Sequence, residues 1–293
     1  MAITASLVKE LREKTAAGMM DCKKALEACD GDLDKAIDWL REKGIMKAAK
    51  KADRVAAEGL TAFVTEGNTC AMVEVNSETD FVAKNAEFQE LVKTVAKEIL
   101  KANPSDLDEA LKINVGDKDL ATLVAEASGK IGEKLDVRRF VVLTKNDDEV
   151  FGAYSHMGGK MSAIVKASGL EEEKARDVAM QVAACSPSYI SEDDIPAADM
   201  EHETSVQRQI MASDEKMASK PEKILEGILK GKIKKHFAEL CLMDQEFIKT
   251  PKETVKQYVG TGKILEMARF EVGEGIEKKE ENFAEEVAAQ MGK

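Results

Sequence analysis

Apolar residues recur three and four positions apart over the first 44 residues, which predicts a run of short amphipathic helices. Leu7, Val8 and Leu11 share one face behind Thr4, a candidate N-cap, and Gly18 then interrupts the pattern. Cys22, Ala25, Leu26 and Cys29 mark a second helix, and Asp30-Gly31-Asp32 turns the chain into a third bearing Leu33, Ala36, Ile37 and Leu40. Gly44 is expected to stop that third helix, because glycine is the usual residue just past a helix end. Residues 47–54 read as a lysine-rich helical linker whose lysines, with Lys230, Lys232, Lys234 and Lys235 further on, are expected on solvated helix faces.

The period then changes. Leu60 to Thr65 and Thr69 to Val75 read as strands around a Glu66-Gly67-Asn68 turn, followed from about Ala86 by a helix with Phe88, Leu91, Val92, Val95 and Ile99 on one face. The same strand-strand-helix order returns downstream: Val150 to Ser155, a Met157-Gly158-Gly159-Lys160 turn, Met161 to Ala167, and a helix carrying Ala175, Val178, Ala179 and Val182. The match is an internal repeat by pattern more than by identity. Between the copies, Leu120, Leu123, Val124, Ala127 and Ile131 predict a helix stopped near Gly132, then a strand from Val137 to Thr144. After the second copy a polar helical stretch, with prolines at 196 and 221, reads as a protruding hairpin. From Ile224 to Leu242 the pattern turns apolar again, as for a return to the core. The chain closes on a strand-like Ile264 to Val272, a Gly273-Glu274-Gly275 turn and a helix with Phe283, Val287 and Met291 on one side.

Composition sharpens this picture. A length of 293 residues favours several modules over one core. The 44% hydrophobic and 33% charged fractions fit a soluble protein rich in surface helix, and the 4% aromatic content argues against an aromatic-rich β-sandwich; with the strands read above, the expected fold class is α+β. A formal charge of −12 repels phosphate backbones and anionic membranes, so direct nucleic-acid binding is not expected, and no apolar run is long enough for a membrane span. The five cysteines form no C-x-x-C pair and are odd in number, which suits the reducing cytoplasm.

Catalytic chemistry finds little support. A phosphate-cradling loop needs glycine spacing that ends in Gly-Lys-Ser or Gly-Lys-Thr. Of the five Gly-Lys pairs, four continue with Ile or Met and the last ends the sequence. His156, His202 and His236 are far apart and show no metal-ligand spacing with one another or with cysteine. No enzyme activity, cofactor or metal is therefore expected. The one unusual local feature is Asn76-Ser77-Glu78-Thr79-Asp80-Phe81-Val82-Ala83-Lys84-Asn85, whose turn-forming residues predict a loop between hairpin and helix. Phe81 is either tucked into the core below or presented outward, where an apolar ring beside the Asp80 carboxylate would make a wedge. Met19 and Met20 pose the same choice, between filling a small core and offering an adaptable contact to a partner helix.

These residues resemble the elongation factor Ts family. The likeness rests on Thr15 to Leu26 (TAAGMMDCKKAL), Asn76 to Lys84 with its TDFVAK run, Lys130-Ile131-Gly132-Glu133, and Arg269 to Gly275 (RFEVGEG). The resemblance implies a ubiquitin-associated-like three-helix domain with linker over 1–54 and a first core subdomain over 55–144. A related second subdomain follows over 145–186 and 227–263, with a helical-hairpin insertion at 187–226 and a C-terminal module at 264–293. It also implies a non-enzymatic exchange factor whose partner is the GTPase elongation factor Tu. On that likeness Thr79, Asp80, Phe81 and Val82 form the segment that dislocates the partner's Mg2+, with Phe81 inserting between partner side chains. Ile131 and Gly132 match a segment near the phosphate-binding loop, and His156 a neighbouring histidine. Arg12, Met19, Met20 and Lys23 match contacts to a partner helix. The hairpin is implied either to dimerise, giving a dimer of heterodimers, or to reach toward the partner and its tRNA. A plain adaptor, binding without promoting exchange, is the competing expectation.

Overall fold

The computed structural model describes residues 3–15, 17–214 and 220–277, so the helix expected around Phe283 to Met291 lies outside the described residues. The described residues form two compact units: those up to 142 with 157–161 and 270–277, and those of 143–156 with 162–269.

The first unit begins with three helices, α1 (Ala5–Thr15), α2 (Met19–Ala28) and α3 (Leu33–Ala49). Thr4 caps α1, its Oγ1 accepting the Leu7 N–H at 3.3 Å, and Asp32 caps α3 by accepting the Lys35 N–H at 3.1 Å. Val8, Leu11, Cys22, Ala25, Leu26 and Ala36 close a small core with Leu7, Ile37 and Leu40 at its margin. Gly44 does not stop α3. The helix continues through it to Ala49 because Gly44 is a contact point: a Cβ on Gly129 would stand 2.6 Å from the Gly44 Cα. Two glycines let two helix backbones approach, and that tertiary fit overrides glycine's weak helix propensity. The linker is correspondingly shorter in helix than expected, giving way to turns after Ala49. Lys51, expected on a solvated face, is buried with its Nζ donating to the Ser128 carbonyl at 3.0 Å.

A sheet of order β1-β2-β5 follows, from β1 (Glu58–Glu66), β2 (Thr69–Ser77) and β5 (Leu135–Thr144). The β1-β2 hairpin is antiparallel, with Leu60 opposite Val75 and Phe63 opposite Met72. β2 is the middle strand, and its residues from Cys70 to Ser77 are all buried. Against β1 and β2 packs α5 (Ala86–Ala102), which buries Phe88, Leu91, Val92, Val95, Ala96, Ile99 and Leu100 along one stripe. Each of the Phe, Leu, Val and Ile side chains contributes on the order of 1.5–3 kcal/mol, so this face fixes the sheet more firmly than any single polar contact. Asn85 caps the helix at its start, and Asn103 ends it in the left-handed region at φ +46. Between them and β5 stand α6 (Leu107–Leu111), the two-residue strands β3 (Asn114–Val115) and β4 (Lys118–Asp119), and α7 (Leu120–Ile131). These first three short elements are too brief to register as a period in the sequence.

The second unit repeats the order strand, strand, helix. β6 (Glu149–His156), β7 (Met161–Ser168) and β8 (Lys263–Glu271) form a sheet of order β6-β7-β8, and α8 (Glu172–Cys185) packs on β6. Gly152 permits that packing, since a Cβ there would meet the Ala175 carbonyl carbon at 2.0 Å. Buried Gln181 ties α8 to the loop beyond it: its Nε2 donates to the Gln245 Oε1 and the Glu246 carbonyl, and its Oε1 accepts the Ile248 N–H. Helices α9 (Ala197–Ala212) and α10 (Glu222–Leu240) pack on each other, each preceded by a proline, Pro196 and Pro221. α10 runs unbroken through residues 226 and 227 and buries only Leu229 and Phe237, while Ile224 is exposed. A short helix α11 (Val255–Val259), opened by a Thr254–Gln257 capping box, leads into β8. Among the described residues no helix is long and apolar enough to cross a membrane.

Candidate functional site

The site begins where β2 runs out. Ser77, still buried, donates its hydroxyl to the Thr79 carbonyl at 3.0 Å, which turns the chain into an extended Thr79 at φ −125, ψ 156. The expected loop then contains one turn of helix, α4 (Asp80–Ala83). A four-residue helix offers no full period of apolar positions, which is why its pattern is illegible in the sequence. Helical spacing of about 100° per residue separates its side chains. Val82 and Ala83 turn into the core beneath α5, and Phe81 is left 77% exposed. The ring is therefore not tucked into the core but faces outward. Beside it, the Lys84 Nζ lies 3.0 Å from the Asp80 Oδ2 and 5.7 Å from the centre of the Phe81 ring. Asp80 itself is half-buried.

A second segment lies against the first. α7 ends at Ile131, half-buried against the same core, and Gly132 closes it at φ +94 with its N–H on the Ser128 carbonyl at 3.0 Å. That conformation favours glycine at low cost. Glu133 follows and accepts two bonds from Thr79, from the N–H at 2.9 Å and from Oγ1 at 2.6 Å. In return Glu78 accepts the Lys134 N–H at 2.5 Å and a bond from Arg54 at 3.2 Å. The structure therefore brings Thr79, Asp80, Phe81 and Val82 together with Ile131 and Gly132. Sequence patterns give no hint of Glu78, Lys134 and Arg54 in this role, because their partners are far away in the chain and Glu78 is one of 55 acidic residues.

Arg12, Met19, Met20 and Lys23 form a separate group on α1 and α2. Met19 and Met20 occupy the first turn of α2 and are 59% and 63% exposed, while Cys22, Ala25 and Leu26 of the same helix are buried. The methionines thus present a soft apolar surface instead of filling the small core. Arg12 and Lys23 are also exposed, Lys23 in a loose pair with Glu27 at 3.8 Å. His156 belongs to the second unit, at the exposed end of β6, with its Nδ1 3.1 Å from the Tyr154 hydroxyl and its ring stacked on that tyrosine.

One buried carboxylate organises the start of the C-terminal segment in the first unit. Glu74, on the middle strand, accepts the Gly273 N–H at 2.8 Å, Arg138 at 3.0 Å and Arg139 at 2.6 Å. Burial by itself raises its pKa, but the bonds from Gly273, Arg139 and Arg138 outweigh burial and hold it below its ordinary value. Arg139 also lies 4.4 Å from the centre of the Phe270 ring and donates to the Glu271 carbonyl and to Glu274. The Gly273 backbone is seated so closely that a Cβ would stand 2.1 Å from the Ala57 carbonyl oxygen.

Taken as chemistry, the surface built by 78–84 and 131–134 is an apolar ring and a carboxylate on a braced turn. It is suited to press on another macromolecule. Among the described residues no three His, Cys, Asp or Glu side chains gather as a metal site. A family model described as elongation factor TS matches residues 78–274, from the clasped turn to the Glu271–Gly275 segment and over more than half the sequence, and the chain belongs to the elongation factor Ts family.

Proposed function

We propose that this chain is a guanine-nucleotide exchange factor that binds elongation factor Tu in its GDP form and promotes GDP release by disturbing that GTPase's Mg2+ and phosphate-binding site. The family serves translation elongation as a nucleotide exchange factor, with elongation factor Tu as its partner. The observation that carries the finer reading is the outward Phe81, 77% exposed beside Asp80 on a turn whose other apolar residues are buried. Beyond a surface contact with Lys84, an aromatic this exposed adds little to the stability of the free chain, and its burial in a partner supplies the energy that distortion requires.

The energetics set the scale. A nucleotide held at nanomolar Kd is bound by about 12 kcal/mol. Binding of the factor and of the nucleotide are reciprocal, so each lowers the other's affinity by the same ratio. About 5.5 kcal/mol of differential binding shifts that equilibrium by roughly 10⁴-fold. The Met19–Met20 surface and the core supply contact area, while Asp80 and Phe81 convert part of it into displacement of the Mg2+ site.

The reading is tested by titrating the chain against elongation factor Tu with no nucleotide and with saturating GDP and Mg2+. GDP must weaken the complex strongly; an affinity indifferent to GDP would make the chain an adaptor. In the same titration Met20→Asp is expected to weaken the nucleotide-free complex by about tenfold or more, since a charge is forced into an apolar contact. Its maximal rate of stimulated release, reached at higher concentration, should stay close to wild type. Unaltered affinity would remove Met20 from the anchoring surface.

A further inference from the structure

Two carboxylates, both inside the segments that carry the family likeness but given no role by it, brace the turn that presents Phe81. Glu133 takes both the N–H and the hydroxyl of Thr79, and Glu78 takes the N–H of Lys134, so the two acidic side chains reach across in opposite directions between the same pair of segments. The exchange has a local consequence. Thr79 occupies the N-cap position of α4, where its oxygen would ordinarily accept an N–H of the first turn, yet it makes no cap bond. Its hydroxyl is donated to Glu133 instead, so the start of α4 is set by a residue 54 positions away in sequence. A single helical turn is unstable by itself. Val82 and Ala83 hold its inner side, and the outer side is held through Thr79.

The clasp extends further within the first unit. Glu78 also accepts both bonds from the Arg54 guanidinium, and the Lys134 Nζ donates to the Ala52 carbonyl at 2.8 Å. Ser128 donates its hydroxyl to the Glu133 carbonyl at 2.6 Å, which fixes the backbone from which the Glu133 carboxylate springs. An exposed phenylalanine tends to fold back onto nearby apolar surface. Here the turn that carries it is secured on both flanks.

We infer that Glu133, seconded by Glu78, is a positioning residue for exchange: it holds α4 in the one orientation that presents Phe81 and Asp80, and thereby sets the maximal rate of release. The inference rests on the exchange-factor reading above. It differs from a merely structural role in what it moves. Losing the clasp lowers the fraction of bound complexes in which the wedge is presented, so the maximal rate kcat falls in proportion while the anchoring contacts, and with them KM, are retained.

The test is stimulated release of fluorescent GDP from elongation factor Tu, measured as kcat and KM for the full chain, with folding of each variant checked by thermal melting. Glu133→Ala removes two charge-assisted bonds and should lower kcat about tenfold with KM within about twofold of wild type. Glu133→Gln keeps an acceptor oxygen and should recover about half of that loss on a logarithmic scale. In a Phe81→Ala background, adding Glu133→Ala should cost clearly less than the tenfold it costs alone, because most of its effect passes through the ring and only the part that passes through Asp80 is left. If Glu133→Ala does not stay folded at the assay temperature, Thr79→Val carries the test: it keeps the N–H bond, loses the hydroxyl bond and should lower kcat about threefold. An unchanged kcat in the folded variants, or a full additional loss in the double variant, overturns the inference alone. A wild-type chain that leaves GDP release unchanged removes the exchange reading and the clasp's role together.

Discussion

Phe81→Ala is expected to lower the maximal rate of stimulated GDP release about thirtyfold, because removing a buried aromatic anchor costs roughly 2 kcal/mol and each 1.36 kcal/mol off a barrier is worth tenfold. The free protein should not register the change in stability, since the ring is 77% exposed and leaves no cavity in the core. Affinity for nucleotide-free elongation factor Tu should fall far less than the rate, because the Met19–Met20 surface and the remaining contacts are untouched. The split is the informative part. Stopped-flow release across a range of chain concentrations separates the maximal rate from half-saturation; a variant with full maximal rate would mean the ring is an ordinary contact and not a wedge.

The second large effect concerns Glu74. Glu74→Ala leaves two arginines and the Gly273 N–H without their shared acceptor at a fully buried position. Breaking a buried ion pair from one side costs about 3–5 kcal/mol, and here a smaller cost, about 2–3 kcal/mol, is expected because both arginines keep partial access to water. Trp39 is the chain's one tryptophan and sits in the first unit, so its fluorescence follows unfolding of that unit. The urea midpoint should drop by about 1–1.5 M, taking a slope of about 2 kcal/mol/M for a unit of this size.

The same group gives a pH dependence whose sign is fixed. Its folded pKa is lowered from the ordinary 4.5, because the bonds from Gly273, Arg139 and Arg138 overcome the opposing effect of burial. The stability it contributes is therefore present above pH 4.5 and is lost as pH falls through the depressed folded value. Glu74→Gln cannot titrate. Its unfolding midpoint should lie below wild type at neutral pH, and the gap should narrow as the solution is acidified below pH 4.5. A constant gap across that window would mean that Glu74 is not the ionised acceptor described here.

Period and turn chemistry made most of the fold legible. The stripe from Phe88 to Ile99, the β1-β2 hairpin and its echo in β6-β7 with α8 all appear where alternation and helical spacing place them. The errors share one cause, which is that local rules do not see distant neighbours. Gly44 has the propensity of a stop, but the Gly129 backbone crosses it at a distance only glycine allows. Lys51 has the look of a solvated cation, but the Ser128 carbonyl receives its ammonium. At the site, the Thr-Asp-Phe-Val string was legible as a family resemblance, whereas the direction of the Phe81 ring was not. Val82 and Ala83 find the core beneath α5 and Glu133 finds Thr79, and neither meeting is encoded by spacing along the chain.

The central claim is that binding energy gathered by this chain is used to dislodge a nucleotide from another protein, and release kinetics address it most directly. Elongation factor Tu loaded with fluorescent GDP and Mg2+ should be mixed with the chain at one-tenth of its concentration in the presence of excess unlabelled GDP. All of the bound nucleotide is expected to exchange at a rate far above the spontaneous one, each molecule of the chain serving many partners. Release at the spontaneous rate, or acceleration limited to the one-tenth of partner molecules that the chain can occupy at once, would contradict it.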